Sequence, residues 1–245
     1  MSPVVTTALV TGGGTGIGRA CSLALHRAGH PVAISYRRSA DDAESVVDEI
    51  TADGGRAVAV RADVTDDAAV RAMVASAREQ LGPVGVLVNN AGATIPMPLD
   101  DLDGATDDVW QQMLAVNLMA PWYCARATVD DLRAADDGCV VNIGSIAGLT
   151  GNGSSLPYAV SKSALHGLTR SLARALAPVR VNEVAPGLVL TRWWAGNEDR
   201  GRELAASALL DRETTPEDVA AAVLGVVASR AITGQTIVVD GGQTL

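Results

Sequence analysis

The sequence predicts an α/β fold: a Rossmann-type doubly wound sheet of about seven parallel strands with helices on both faces, in one domain over residues 1–245. Three observations carry this. Apolar, β-rich runs alternate with helical patterns along nearly the whole chain. Those runs are continuous in Val, Ile, Leu and Ala, as expected of strands covered on both faces. No Ser/Gly linker, repeat or low-complexity tract interrupts the 245 residues.

Taken in order, residues 6–11 read as the first strand and 16–29 as the first helix. The pair repeats at 31–36 and 40–53, and 56–61 is the third strand. Over 66–81, Val70, Met73, Val74, Ala77 and Leu81 recur on one face at helical spacing. A fourth strand covers 85–89. The acidic stretch 100–108 reads as a loop, and 106–133 as one long helix. Then come a strand at 138–144, a second long helix at 155–177 and a strand at 179–184. Residues 191–210 break the rhythm where a strand's carboxyl end opens toward a ligand, so a substrate lid is expected over 188–210. A helix at 215–229 and a strand at 236–239 follow.

The formal net charge of −9 argues against a polyanion-binding surface, and so against nucleic acid as a partner. Cys21, Cys124 and Cys139 form no CxxC pair and read as small buried apolar residues of a reduced compartment. His26, His30 and His166 lack metal-ligand spacing, and no structural metal is expected. No basic region precedes an apolar stretch at the N-terminus, and no apolar run approaches the roughly 20 residues that span a bilayer. A soluble cytoplasmic protein with no membrane partner is the expectation.

The chemistry begins after the first strand, at Thr11-Gly12-Gly13-Gly14-Thr15-Gly16-Ile17-Gly18, which runs straight into a helix. Glycine permits positive φ and close approach of backbone to ligand. The helix N-terminus offers free N–H groups and partial positive charge to a pyrophosphate. Gly12, Gly14, Thr15, Gly16, Ile17 and Gly18 are therefore candidate dinucleotide-binding residues.

The second strand ends in Ser35-Tyr36-Arg37-Arg38-Ser39, with no acid before Asp41. An NAD site usually carries an acid here for the ribose 2′-hydroxyl, whereas two arginines suit a 2′-phosphate. Tyr36, Arg37 and Arg38 thus favour NADP(H) over NAD(H). The alternative is a solvated surface pair, and Thr15 stands where a basic residue would have strengthened the NADP reading. Asp63, just past the third strand, either accepts from an adenine amino group or caps the next helix.

Tyr158 and Lys162 are four apart on a predicted helix and share a face. Ser145 follows the fifth strand, and Asn117 lies in the long helix before it. Hydride transfer to a ketone needs a proton for the developing alkoxide. A free phenol, with a pKa near 10, holds its proton too tightly to cycle at neutral pH. A neighbouring ammonium and an oxidised nicotinamide would favour phenolate. Tyr158 is then general acid in reduction and general base in oxidation. Lys162 also binds the nicotinamide ribose, Ser145 orients the substrate oxygen, and Asn117 holds a water for proton resupply.

Together these residues resemble the short-chain dehydrogenase/reductase family over essentially the whole chain. The matching motifs are Thr11 to Gly18, Asp63-Val64, Asn89-Asn90-Ala91-Gly92, Asn117, Ser145, Tyr158-Ala159-Val160-Ser161-Lys162 and Pro186-Gly187. Thr233-Gly234-Gln235 and Asp240-Gly241-Gly242 are similar to members near the 3-oxoacyl-[acyl-carrier-protein] reductases. The resemblance implies that Asp63 and Val64 meet adenine and that Asn90, Ala91 and Gly92 line the groove beside its ribose. It implies that Pro186 and Gly187 flank the nicotinamide, with residues 188–191, Val189 and Thr191 among them, near its carboxamide. It also implies a homotetramer, or a homodimer, built on the two long helices and the last strand–helix unit. Trp122 and Tyr123 would be interface or core residues there.

Three departures stand out. The link Ala177-Pro178-Val179-Arg180 is about two residues short of the family pattern. Glu183 replaces a small residue, and its carboxylate either binds a polar or cationic substrate group or is a buried, paired or solvent-facing acid. Trp193 and Trp194 open the expected lid, as a substrate wall or a subunit contact.

The reading is an NADP(H)-dependent oxidoreductase acting on a carbonyl or secondary alcohol, such as a 3-oxoacyl thioester or a small ketone. The alternative is a non-catalytic NADP-binding sensor or scaffold, against which the intact Asn117, Ser145, Tyr158 and Lys162 set argues. Epimerisation or dehydration fits less well, because little chain follows the sixth strand to form a large pocket. An acidic carrier protein would need basic residues at the site mouth, and Arg126, Arg133, Arg170 and Arg174 are the candidates.

Overall fold

The seven strands of the computed structural model, which describes residues 6–191, 199 and 208–245, form one parallel sheet. They are β1 (Thr7–Thr11), β2 (Val32–Tyr36), β3 (Ala57–Arg61), β4 (Val84–Asn89), β5 (Cys139–Ile143), β6 (Arg180–Pro186) and β7 (Thr236–Val239). Their order is β3-β2-β1-β4-β5-β6-β7. The chain winds outward from β1 to β3, then returns to place β4 on the other side of β1. Carboxyl ends of β1 and β4 therefore diverge into crossovers on opposite faces, and that divergence opens a crevice.

Side chains alternate across the sheet and separate two cores. Ala8, Val10, Ile34, Val88, Val141 and Val184 face one layer of helices: α1 (Gly16–Arg27), α2 (Ala40–Ala52) and α8 (Pro216–Ala228). Leu9, Ala33, Leu87, Val140 and Val181 face the other: α3 (Asp67–Leu81), α5 (Ala120–Ala134) and α7 (Leu156–Ala175). The stripe Val70, Met73, Val74, Ala77 and Leu81 is buried against that second face, as its spacing predicts. All three cysteines are buried and free, and burial pushes their thiols up to about 12, 12 and 11 for Cys21, Cys124 and Cys139. Among the described residues no helix is long and apolar enough to cross a membrane.

The structure corrects the sequence reading in several elements. The long helix expected over 106–133 is α4 (Asp107–Leu114), a π turn at Ala115–Met119, and α5. Within that turn the N–H of Ala120 reaches back five residues to the carbonyl of Ala115. Pro121 supplies the physical reason: it has no N–H for an ordinary helical bond to the carbonyl of Asn117. A short helix, α6 (Ala147–Thr150), follows Ser145 and was not foreseen. β6 runs two residues past its expected end at 184, through Pro186. The short link before β6 holds a cis Ala177–Pro178 bond.

Asp63 is not a helix cap. Asp66 takes that place on α3, accepting from the N–H groups of Ala68 and Ala69. Trp122 and Tyr123 pack partly against the second core, with the Arg126 guanidinium 5.5 Å and 5.4 Å from their ring centroids. Most of the expected lid, with Trp193 and Trp194, lies outside the described residues.

Candidate active site

A cleft of about 1820 Å³ opens along the carboxyl edge of the sheet. Its floor at one end is the turn between β1 and α1. Gly12 and Gly16 have φ of 63° and 50°, which glycine adopts without strain. A Cβ on Gly12 would sit 3.2 Å from Asn90 Nδ2, and one on Gly16 would sit 3.3 Å from Thr191 Cγ2. Gly18 is packed against the carbonyl of Gly12 and the side chain of Asn90, so it seats the helix rather than lining the cleft. Gly14 lies close to the backbone of Ala43 and lines a smaller adjoining recess with Thr15, Arg37 and Arg38.

The N-terminus of α1 opens on the cleft through Thr15, Gly16 and Ile17. Thr15 makes no side-chain cap bond, and no acid stands in the first turn. By contrast, α3, α7 and α8 are capped by Asp66, Ser155 and Thr215. Among the described residues no side chain caps the first turn of α1, so its N–H groups and dipole face the cleft, which fits a pyrophosphate.

At the end of β2, Tyr36, Arg37 and Arg38 line both the cleft and the adjoining recess. Arg37 Nε lies 2.9 Å from Asp63 Oδ2. The other Asp63 oxygen accepts from the backbone and hydroxyl of Thr65, at 3.0 and 2.7 Å. Burial alone would raise the Asp63 pKa, but the Thr65 bonds and the charges of Arg37 and Arg38 outweigh it and hold the group below its ordinary value. Val64, Ala91 and Gly92 complete this wall. Asn90 ties it to β1, its side chain donating to the carbonyls of Thr11 and Gly12 at 2.9 and 3.1 Å.

Ser145, Tyr158 and Lys162 meet at the centre of the cleft. Ser145 follows β5; α7, capped by Ser155 and carrying Pro157 in its first turn, presents Tyr158 and Lys162 one turn apart. Lys162 Nζ donates to the carbonyl of Ile143 at 2.8 Å and lies 5.9 Å from the Tyr158 ring centroid. The two titratable groups are buried, and burial opposes charge on each. It pushes the Tyr158 phenol up, partly offset by a bond with Ser145, and pulls the Lys162 ammonium down to about 8. The lowered phenol pKa expected from the sequence is therefore not present in the protein alone.

Asn117 sits in the π turn with its side chain fully engaged. Its Oδ1 accepts from the N–H of Ala93 at 3.0 Å, and its Nδ2 donates to the carbonyl of Ala93 and to Ser161 Oγ, both at 3.0 Å. The side chain thus clamps the cleft wall to α7, and Ala115 and Val116 line the cleft from this turn in its place. A water held by Asn117 would have to use its main-chain carbonyl.

At the other end of the cleft, Pro186, Gly187, Leu188, Val189 and Thr191 leave β6. Gly187 N–H donates to the Val239 carbonyl at 2.9 Å, and Leu188 N–H to Gln243 Oε1 at 3.2 Å. The substrate-side wall also includes Thr94, Met97, Asp108, Gln111, Gln112 and Ser154. Sequence reasoning missed the acid and the two glutamines, because α4 reaches the site only through the tertiary fold. Glu183 is 1% exposed and lies outside the cleft lining, so the substrate-binding alternative for it falls. None of Arg126, Arg133, Arg170 and Arg174 lines the cleft, and Arg126 is paired with Asp67 at 2.7 Å.

Comparison with known proteins gives the family. The short chain dehydrogenase family model matches residues 6–201. Over its full length the chain is 40% identical to a protein named as ketoacyl reductase 2 of the granaticin polyketide synthase of Streptomyces violaceoruber, covering 98% of it. It is 35% identical, over 97% of its length, to the 3-oxoacyl-[acyl-carrier-protein] reductase of a Synechocystis strain, covering 96% of that protein. The crystal structure of a short chain dehydrogenase from Burkholderia cenocepacia in complex with NADP matches with a TM-score of 0.88 at 36% identity, with 98% of each chain covered.

Proposed function

The chain belongs to the short chain dehydrogenase family of oxidoreductases, and from that premise we propose that it moves a hydride between NADP(H) and a carbonyl or secondary alcohol carbon. The observation that carries this is the meeting of Ser145, Tyr158 and Lys162 in one cleft with the uncapped end of α1. The bound dinucleotide supplies or accepts the hydride. The protein's own groups bind, orient and move the proton.

Free N–H groups of α1 and the Gly12–Gly16 cradle hold the pyrophosphate. Arg37 and Arg38 take the 2′-phosphate, which favours NADP(H) over NAD(H). An ammonium has three donors, and Lys162 gives one to Ile143 and can offer others to ribose hydroxyls. Ser145 donates to the substrate oxygen. Tyr158 gives its proton to that oxygen as alkoxide develops, and takes it back in the oxidative direction. Because burial raises the Tyr158 phenol, proton transfer depends on positive charge beside it: Lys162 within the protein, and the oxidised nicotinamide when bound. The substrates that fit are ketones, including 3-oxoacyl thioesters, as the names of the relatives suggest.

Replacement of Tyr158 by Phe tests the reading. Turnover of ketones with NADPH should fall on the order of a thousandfold, with NADPH binding retained in a fluorescence titration. Undiminished turnover would remove Tyr158 from the chemistry. Tight NADPH binding by a wild-type protein that reduces no ketone would favour a sensor or scaffold.

A further inference from the structure

Behind the catalytic centre, on the side of β5 and β6 that faces α7, lies a buried acid the mechanism above does not use. Glu183 on β6 stands in register with Asn142 on β5 and Thr236 on β7. Its carboxylate lies against Gly144, where even a methyl group would overlap it. Gly144 joins Ile143, whose carbonyl takes the Lys162 bond, to Ser145. The acid is therefore packed behind the stretch of backbone that carries both.

Lys162, His166 and Arg170 follow one another at four-residue intervals along α7 and form one stripe. Glu183 faces that stripe. Its Oε2 is 3.4 Å from His166 Nδ1, and the charges of Lys162 and Arg170 both act on it. Thr236 bonds to His166 Nδ1 at 2.5 Å and also to the Glu183 carboxylate. From β5, Asn142 and Gly144 bring no charge. Burial and the Arg170 charge keep His166 below its ordinary value, so its contact with Glu183 is polar and not an ion pair at neutral pH. Oε2 has no hydrogen-bond partner among the described residues. An ionised carboxylate so poorly served is costly to bury, and it must be offset by a nearby positive charge.

We propose that Glu183 is a positioning residue acting through Lys162: its buried carboxylate, set behind the Ile143–Gly144 backbone, sustains the ammonium of Lys162. Resting on the hydride-transfer reading above, it thereby supports proton transfer from Tyr158. Among the described residues Glu183 is the opposite charge that acts on Lys162. Burial pushes Glu183 up to about 7 and Lys162 down to about 8, and each charge partly restores the other. Both groups are ionised together in the interval between.

Lys162 is the only lysine in the chain, so lysine labelled with carbon-13 and nitrogen-15 gives a single side-chain signal to follow against pH. In the wild-type protein that signal should show its main inflection near 8 and a smaller step near 7 as Glu183 titrates. In Glu183→Gln the smaller step should vanish and the main inflection move down by about one pH unit, with Glu183→Asp restoring part of the shift. An unmoved inflection in a folded Gln variant overturns the proposal. Should that variant not fold, absence of the smaller step in the wild-type protein overturns it instead. In ketone reduction with NADPH, the alkaline limb of the pH–rate profile should move down with the lysine signal, because removing an anion lowers the pKa of any group beside it. A wild-type protein that turns over no ketone would sink the hydride-transfer reading and leave the lysine titration to decide this one.

Discussion

Arg37 and Arg38 differ in what each has committed before a phosphate arrives. Arg37 Nε already lies on Asp63, while Arg38 acts on that acid through charge. Removing Arg37 therefore deletes a phosphate ligand and also uncovers a carboxylate beside the phosphate position. Arg37→Ala should weaken NADPH binding by about a hundredfold and Arg38→Ala by about tenfold, with NADH binding little changed. Fluorescence titration of both cofactors checks this, and an equal loss for NADH would refute a 2′-phosphate role. At this scale the sequence singled out Tyr158, Lys162 and the arginines, all of which line the cleft, because helical spacing and strand ends are local features. It did not disclose that Asp63 pairs with Arg37, nor that the Asn117 side chain is spent on Ala93 and Ser161. Those partners lie 26, 24 and 44 positions away, and no local rule links them.

The helix termini divide binding from stability. α8 carries a complete capping box, with Thr215 and Asp218 each bonded to the other's backbone N–H and Pro216 in the first turn. The bond from Arg212 and those from Thr215 hold Asp218 down to about 2. Thr215→Ala should lower stability to urea unfolding by about 1 kcal/mol and leave NADPH affinity unchanged, since this cap faces no ligand. A matching loss of affinity would show that α8 is coupled to the site. α1 is the converse case, its first turn left open toward the cleft. Both start signals were legible in the sequence. The π turn at Ala115–Met119 was not, because one extra residue per turn scarcely alters an apolar pattern, and only Pro121 hinted at it.

Across the whole molecule, two sets of groups pull stability in opposite directions with pH. Asp63, Asp67, Asp218 and Asp240 all sit below their ordinary value of 3.8 in the folded chain. They stabilise the fold above that value, and this is lost as pH falls toward 2. Glu183 is raised from 4.5 to about 7, so its contribution is full below 4.5 and is lost as pH rises through 7. His166, lowered from 6.5, opposes it weakly from its more exposed position. Urea unfolding of the wild-type protein should therefore show maximum stability on the acid side of neutrality. Subtracting the Glu183→Gln curve should isolate a decline between pH 4.5 and 7, and parallel curves for the two proteins would contradict the assignment.

The sequence by itself determined the layering, the succession of the seven strands, most of the helices between them, the glycine turn after β1 and the family. Each of these is written in periodicity or in residues close along the chain, where covalent spacing sets geometry. The tertiary structure alone decided which groups share the cleft and what charge they can hold. It brought Gln111 and Gln112 to the substrate wall, seated Glu183 behind Gly144, and buried Tyr158 deeply enough to raise its phenol. Burial and electric fields depend on what surrounds a group in space, and chain order does not encode that directly.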